Sequence, residues 1–172
     1  VKEVLFSKKN TNIDHPTLNF NNVQIEKCSS EKHLGLILDQ KLSFKQHLHE
    51  KINIAMKIIG TIKRLNTVLS RFSLLTIYKS FVRPHLDNAD VIYDQPNNQS
   101  LYDKIESVQY NACLAITGAS RGTSRIKLYK ELGIESLHEK HWMRRLCYFY
   151  KIVSTGSPSY LFKYLPASTI SP

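Results

Sequence analysis

Two aspartates, Asp87 and Asp90, lie three residues apart shortly after Pro84. Neighbouring carboxylates could hold divalent cations, which stabilise the attacking and leaving oxygens when a phosphoryl group is transferred. Aspartate is also common in turns and at helix caps. We therefore interpret both residues as caps or surface charges and keep metal ligation as the alternative. Because no two aspartates are adjacent anywhere in the chain, the sequence predicts no catalytic residue.

Histidines and cysteines give only weak indications of a metal site. His138 and His141 share one side of a predicted helix, but a zinc-protease motif needs its second histidine at position 142, where Trp142 stands. No further His or Cys nearby completes the four ligands of a structural zinc. The three cysteines are scattered, as in a reduced intracellular protein, and we interpret Cys113 and Cys147 as small buried hydrophobes. The sequence therefore predicts no metal ligand.

The charge of the chain indicates a polyanionic partner. The formal net charge is +10 and the pI is near 9.5, which favours nucleic acid first and a membrane surface second. Between Arg121 and Lys151, eight Lys or Arg residues stand against three Glu residues. Neutralisation of phosphates by such residues dominates nucleic-acid binding and carries no sequence information. The alternative is a solvated basic face, which many soluble domains have.

Five residues at helical spacing are the candidates for phosphate contacts on helices: Lys57, Arg64, Arg144, Tyr148 and Lys151. The tyrosine among them could stack on a base or form a hydrogen bond with the nucleic-acid backbone. Gly60 lies close to the first two and allows close approach of a ligand. Glycine inside a helix lowers the stability of the helix by about 1 kcal/mol relative to alanine. Its presence at position 60 therefore suggests a role other than helix formation.

Short strands are predicted at the beginning of the chain. Alternating apolar and polar residues on both sides of Asn21-Asn22 predict a hairpin whose turn suits positive φ. The apolar run Lys32–Leu38 predicts a further strand, with Gly35 at a bulge. Because two or three short strands are marginally stable alone, residues 1–42 are expected to form the edge of a larger sheet.

Helical periodicity follows. Apolar residues at steps of three and four predict a long helix over about Phe44–Leu65, and Ser43 and Gln46 have the spacing of a capping box at its start. Further helices are predicted at about Phe72–Arg83, Leu101–Thr117, Arg125–Leu132 and Leu137–Ser154. Pro84 should break or kink the second helix, and residues 95–98 have the composition of a loop.

The last predicted helix has two different faces. One is apolar and is predicted to join the core: Trp142, Leu146, Phe149 and Val153. The other is basic and is predicted to face solvent or nucleic acid: Lys140, His141, Arg144, Tyr148 and Lys151.

The predicted fold class is α+β, mostly α. It is divided into a β-rich segment over residues 1–42, helices over 43–118, and a basic helical extension over 119–172.

The chain resembles a known family. His33-Leu34-Gly35 through Asp39, with Leu42, Phe44 and the long helix, resembles the segment after the catalytic palm in reverse transcriptases of non-LTR retrotransposons, especially jockey-like ones. Three later segments are similar to the same family: Ser80-Phe81-Val82-Arg83-Pro84-His85-Leu86-Asp87, Val91-Ile92-Tyr93-Asp94 and Tyr129-Lys130-Glu131-Leu132-Gly133-Ile134. The likeness follows the same order over almost the whole chain. One departure is Asn88, where the family commonly carries an aromatic residue that contributes to packing.

This resemblance implies a role for each segment. Residues 1–42 would be the edge of the palm, 43–118 a thumb that grips the duplex in its minor groove, and 119–172 a C-terminal extension. Four residues would correspond to the primer grip, a hairpin that holds the 3′ end of the growing strand against the metal site: Lys32, His33, Leu34 and Gly35. The catalytic Asp pair and its Mg²⁺ would lie upstream of Val1, so the chain is expected to be a fragment that is inactive alone. The expected partners are an RNA template, a DNA primer, and the upstream palm and fingers of the same polypeptide.

Two functions follow as hypotheses. The chain is a fragment of an RNA-directed DNA polymerase that grips primer–template nucleic acid. Alternatively, it is a non-catalytic basic helical module that binds nucleic acid or protein and derives from a decayed retroelement. The sequence shows neither a signal peptide nor an apolar run near the roughly 18–20 residues of a transmembrane helix. We therefore expect an intracellular protein, in the nucleus or the cytoplasm, without a membrane partner.

Overall fold

The computed structural model describes residues 2–7, 15–93 and 99–165. Short strands at the beginning of the chain are followed by helices, which confirms the predicted class, α+β and mostly α. The predicted loop at 95–98 lies outside the described residues. So do residues 1, 8–14, 94 and 166–172, which belong to the three predicted segments.

The first strands form two very small sheets. β1 (Lys2–Glu3) pairs in parallel with β4 (Glu26–Lys27), and β2 (Asn19–Phe20) pairs antiparallel with β3 (Val23–Gln24). The Asn21-Asn22 turn joins β2 to β3 with φ angles of 50° and 61°. Two positive φ angles are typical of the type I′ turn that favours asparagine. The predicted hairpin is therefore confirmed.

A second hairpin corrects the predicted strand over Lys32–Leu38. β5 (Ser30–His33) and β6 (Leu36–Asp39) pair antiparallel, and Leu34 and Gly35 form the turn between them with φ angles of 47° and 83°. The prediction of a single strand with a bulge at Gly35 is wrong, because two consecutive residues with positive φ reverse the direction of the chain. The hairpin also separates exposed and buried apolar residues, since Leu34 at the tip is 92% exposed while Leu36, the first residue of β6, is buried.

The long helix α1 (Lys45–Leu65) begins without the predicted capping box. Phe44 precedes it in a left-handed conformation with φ 55°. The Ser43 hydroxyl therefore accepts from the amide of Lys45, at 3.5 Å, instead of from that of Gln46. Asp39 organises this link instead. Its Oδ2 accepts hydrogen bonds from the Phe44 amide at 2.8 Å and the Ser43 hydroxyl at 3.1 Å, and its Oδ1 accepts from the Ser43 amide at 3.1 Å. Burial alone would raise the pKa of Asp39, but the hydrogen bonds outweigh it and lower that pKa.

The core lies between α1 and α5 (Gln99–Thr117), with α2 (Arg71–Ile77) and the elements after it packed around them. Its most deeply buried apolar side chains come from these helices and their neighbours: Ala55, Ile62, Leu74, Tyr78, Val82, Ala112, Cys113 and Ile116. Asn66, just after α1, donates hydrogen bonds to the carbonyls of Ala115 and Ile116. These bonds satisfy carbonyl groups that the end of α5 would otherwise leave unpaired.

A π-helical turn lies just before Pro84, which was predicted to break or kink the second helix. The helix continues from α2 through a wider turn at Tyr78–Val82 into α3 (Arg83–Asp87), where the Arg83 amide donates to the Tyr78 carbonyl five residues earlier. Pro84 has no N–H and cannot join a regular helical ladder. The wider turn accommodates it near the start of α3, so the helix changes its hydrogen-bonding pattern there.

The remaining helices end close to the predicted positions. A short helix, α4 (Asp90–Tyr93), precedes α5, and α6 (Arg125–Leu132) ends at Gly133 with φ 59°. The last long helix, α7 (Leu137–Thr155), ends at Gly156 with φ 64° and is followed by α8 (Ser159–Phe162). Both glycines occupy left-handed positions, which are commonly glycine because a side chain is strained there.

One hydrophobic core crosses both boundaries of the predicted three-segment division. Leu36 of β6 and Leu128 and Leu137 of the last helices belong to the same cluster of buried residues as α1 and α5. The division into palm edge, thumb and extension stays a prediction of sequence and resemblance. None of the helices within the described ranges is both long and apolar enough to cross a bilayer.

Candidate nucleic-acid interface

The tip of the second hairpin stands beside the first half of α1. The Nζ of Lys32 lies 3.4 Å from Oε1 of Glu50, and both side chains are about half exposed. His33 and Leu34 are exposed at the tip, and Gly35 beside them is half-buried. The structure therefore brings the four residues of the predicted primer grip onto one exposed turn next to α1.

The outer face of α1 continues from this turn. Glu50, Lys57 and Arg64 are spaced by seven residues, two helical turns, and so lie on one side of the helix. Lys57 and Arg64 are exposed, and neither forms an ion pair with a described residue. One guanidinium nitrogen of Arg64 donates to the Thr61 hydroxyl at 3.3 Å, which leaves its other donors for a ligand. From Glu50 to Arg64 the helix rises about 21 Å at 1.5 Å per residue.

Gly60 opens the side of this face towards α5. No atom lies within 4 Å of the position that a Cβ of Gly60 would take. The glycine lines a groove of about 430 Å³ between α1 and the end of α5, which is also lined by Lys63 and Arg121. Two cations, Lys63 and Arg121, therefore line a groove that Gly60 shares with the outer face of α1.

The structure contradicts part of the predicted division of α7 into a core face and a solvent face. Trp142, Leu146 and Phe149, predicted for the core, are 49%, 42% and 46% exposed. His141, predicted for the solvent face, is 1% exposed. Tyr148 and Lys151 are exposed, as predicted. The sequence prediction compared only the polarity of the two faces, whereas buried carboxylates elsewhere in the fold hold the polar face inward.

Arg144 belongs to this inward face. Its guanidinium donates to Oδ2 of Asp90 at 2.9 Å and to Oδ2 of Asp87 at 3.1 Å, and also to the Asp87 carbonyl at 3.1 Å. His141 Nε2 lies 3.1 Å from the other carboxylate oxygen of Asp87. The prediction of Arg144 as a solvent-facing residue is therefore wrong. A buried carboxylate is costly unless it is paired, and the guanidinium supplies that pairing.

We call this group the Asp87 cluster: Arg83, Asp87, Asp90, Lys140, His141 and Arg144. Arg83 Nε and Lys140 Nζ lie 3.5 and 3.7 Å from Asp87 Oδ2. Burial alone would raise the pKa of Asp87, but the hydrogen bond with His141 and the nearby positive charges outweigh it and lower that pKa to about 2. The interpretation of both aspartates as caps or surface charges is wrong, since Asp87 and Asp90 are largely buried ion-pair partners.

The alternative that these aspartates hold a metal ion also finds no support in the geometry. Each carboxylate already accepts from arginine, and a cation would have to displace the guanidinium of Arg144 from both. Within the described ranges, no group of three or more His, Cys, Asp and Glu side chains is arranged to hold a metal ion. The Mg²⁺ that the resemblance implies is expected upstream of Val1, so that expectation stays a prediction.

Another groove, of about 570 Å³, lies between α5, α6 and the start of α7 and contains several acidic side chains. One of them, Glu106, accepts a hydrogen bond from the Leu137 amide at 3.0 Å and another from the Tyr129 hydroxyl at 2.5 Å. This carboxylate therefore holds the start of α7 to α5. We therefore assign Glu106 a structural role and do not include this groove in the candidate interface.

Comparisons of the chain with protein-family models, with curated proteins and with solved structures find no match. The function is therefore argued from the residues and from the resemblance described above.

The site consists of one exposed surface, which we call the hairpin–α1 surface: the turn Lys32–Gly35 with Lys57, Gly60 and Arg64. The sequence prediction included all of these residues, but it did not show that the turn adjoins the helix. It missed the Asp87 cluster altogether. Its only signal was spacing, since Arg83 and Asp87 are four residues apart and His141 and Arg144 are three apart. That spacing presents two polar helix sides without showing that they meet.

Proposed function

We propose that the chain binds duplex nucleic acid along the hairpin–α1 surface. In this proposal it serves as the primer-grip and thumb region of an RNA-directed DNA polymerase of the non-LTR retrotransposon type. The observation that carries the proposal is the contact between Lys32 and Glu50, which joins the turn to the row formed by Lys57 and Arg64. The sequence resemblance supplies the polymerase context.

The dimensions and charges of the surface suit a duplex. The row from Glu50 to Arg64 rises about 21 Å, which corresponds to about six base pairs at 3.4 Å each. Lys57 and Arg64 can neutralise phosphates, and the absence of a side chain at Gly60 lets the backbone of the ligand come close to the helix. The exposed Leu34 at the tip offers an apolar contact to a sugar or base at one end of the row.

Chemistry on the nucleic acid would need groups beyond those described. The Asp87 cluster uses its two carboxylates for ion pairs, so the described residues contribute binding and positioning of the strand. In the polymerase proposal, the Mg²⁺-holding carboxylates belong to other residues of the same polypeptide. The non-catalytic module uses the same surface, so the two hypotheses share the binding experiment below.

The experiment measures the affinity of the chain for a labelled RNA–DNA primer–template duplex by fluorescence anisotropy over a range of salt concentrations. The double variant Lys57→Ala/Arg64→Ala should flatten the plot of log K against log salt by about two units. Each lost phosphate contact removes a gain in affinity of about eightfold that the wild type shows when the salt concentration falls from 1 M to 0.1 M.

The matched control is Lys127→Ala/Lys130→Ala, which removes the same charge from two exposed positions on α6. If affinity depends only on net charge, both double variants will weaken binding equally and the proposed surface is wrong. Unchanged affinity and salt slope in the Lys57/Arg64 variant, with an unchanged melting curve, would equally reject it.

A further inference from the structure

α7 carries an apolar row that the rest of the described chain does not cover. We call it the outer stripe: Trp142, Leu146, Phe149 and Val153 with the adjacent Met143 and Tyr150. Its members are spaced by four, three and four residues, the spacing of the seam in a two-stranded coiled coil. Met143 and Tyr150 are 59% and 72% exposed, and Val153 is half-buried.

Rotation of α7 cannot bury this stripe. The opposite side of the helix is held by Leu137 and Ile152 in apolar contacts and by His141 and Arg144 in the Asp87 cluster. Turning the stripe inward would expose these apolar residues and leave Asp87 and its partners unpaired, so the present orientation is fixed. The polar and apolar side that faces the fold is therefore packed, whereas the described residues leave the outer stripe about half exposed.

The size of the stripe suits a second copy of the chain. Its aromatic residues expose about half or more of side chains that can each bury roughly 150–250 Å². With Met143 and Leu146, one copy presents on the order of 500 Å² of apolar surface. Two copies would then bury about 1,000 Å², the lower limit of a specific interface.

The charges on the stripe also permit self-association. The chain as a whole carries +10, but the edge of the stripe has one acidic residue, Glu139, and one basic residue, Arg145, whose guanidinium lies 5.6 Å from the centre of the Trp142 ring. The two charges balance, so two copies of the stripe meet without an excess of like charge. Two-fold pairing of one surface with itself is the commonest form of oligomer.

We propose that two copies of the chain associate through the outer stripes of their α7 helices, which pair side by side. Leu146 lies near the middle of the stripe. In a parallel two-fold pair it meets its own copy, and in an antiparallel pair the axis passes between Leu146 and Phe149, so the two copies of Leu146 lie close together in both cases. The association leaves the hairpin–α1 surface outside the interface. It does not depend on nucleic acid.

Sedimentation equilibrium of the full chain between about 1 and 100 µM tests the proposal. The wild type should reach a dimer within this range, and Leu146→Glu should weaken association at least about a hundredfold, because two carboxylates would be buried close to each other near the two-fold axis. Leu146 is 42% exposed, so the melting temperature of the Leu146→Glu monomer should stay close to that of the wild-type monomer. Mixing Leu146→Glu with Leu146→Lys should restore a dimer, since the two opposite charges then face each other.

The matched control is Ile126→Glu, which adds the same charge at a residue of α6 that is 80% exposed. It should dimerise like the wild type. A wild-type monomer at the highest concentration overturns the proposal, as does a Leu146→Glu variant that dimerises normally or a mixture that stays monomeric. A monomer that loses binding to single-stranded RNA on Leu146→Glu substitution also overturns it and assigns the stripe to nucleic acid.

Discussion

Asp87 joins α3 to α7 because several cations use one carboxylate. Its side chain is 13% exposed and accepts from Arg144 at 3.1 Å, with Arg83 and Lys140 at 3.5 and 3.7 Å. An ion pair at this depth gains little net stability over a well-packed apolar pair, but removal of one partner leaves the others buried and unpaired. The fold is therefore more sensitive to a single change in this cluster than the cluster's net contribution to stability would suggest.

Substitution of Asp87 by Asn should lower the free energy of unfolding by about 3–5 kcal/mol at pH 7, because the buried Arg83 and the partly exposed Lys140 and Arg144 lose their main counter-charge. Urea unfolding of both proteins measures the difference. The control is Glu131→Gln, in an ion pair with Arg71 whose side chains are 46% and 61% exposed. Its cost should stay below about 1 kcal/mol, and equal losses in the two variants would contradict the burial argument.

The same comparison at low pH tests the charge of Asp87. Its pKa of about 2 in the folded chain lies below the value near 3.9 of an unfolded chain. Asp87 therefore stabilises the fold above about pH 4, and this contribution, on the order of 2 kcal/mol, is lost as the pH falls towards 2. The gap between wild type and Asp87→Asn should shrink over that range. A constant gap from pH 7 to pH 2 would show that the variant acts by shape instead of charge.

At the scale of the elements, α1 is a helix whose outer face tolerates an unfavourable residue. Gly60 is exposed and has no positive φ that would require glycine. Its cost to the helix is about 1 kcal/mol relative to alanine, and packing does not explain it. Close approach of a ligand to the hairpin–α1 surface would explain why glycine stands there.

Gly60→Ala should raise the free energy of unfolding by about 1 kcal/mol, and Gly60→Leu should also stabilise the helix, because the space beside the Cβ is open. Thermal unfolding checks both. If the duplex backbone approaches Gly60, the leucine should weaken duplex binding while the fold becomes more stable. Gly118→Ala is the contrasting control, since its φ of 72° strains a side chain and should destabilise α5. Duplex binding unchanged by leucine would reject the close approach.

The elements also show which features a sequence can predict. The ends of α6 and α7 and the Asn21-Asn22 turn were predicted, because glycine and asparagine at left-handed positions act locally. The exposure of Lys57 and Arg64 followed from the regular apolar face of α1. The inward face of α7 did not follow, because it depends on where α3 and α4 place Asp87 and Asp90. The start of α1 was missed for a similar reason, since Asp39 reaches forward across the link to bind Ser43 and Phe44.

At the scale of the whole molecule, burial is uneven along the chain. The helices share one core that includes β6, through Leu36 and Ile37. The two earlier sheets do not share it, since Phe6, Phe20 and Val23 are 48%, 58% and 68% exposed. Two-stranded sheets are marginal in water, so residues 2–7 and 15–27 depend least on the core.

Amide hydrogen exchange followed by mass spectrometry should therefore divide the chain into three classes. Amides of 2–7 and 15–27 should exchange fastest, because their pairing opens at little free-energy cost. Amides in the β5–β6 hairpin should be protected more, since Ile37 is buried and its amide donates to His47 Nδ1 at 3.4 Å. α1 and α5 should be protected most. The sequence-based expectation that residues 1–42 form the edge of a larger sheet implies rapid exchange throughout this segment when it is isolated from that sheet. Slow exchange at 30–39 would favour the structure over that expectation. Protection of 2–7 and 15–27 equal to that of α1 would contradict both, and would mean that the first two sheets are stabilised by contacts other than those the structure describes.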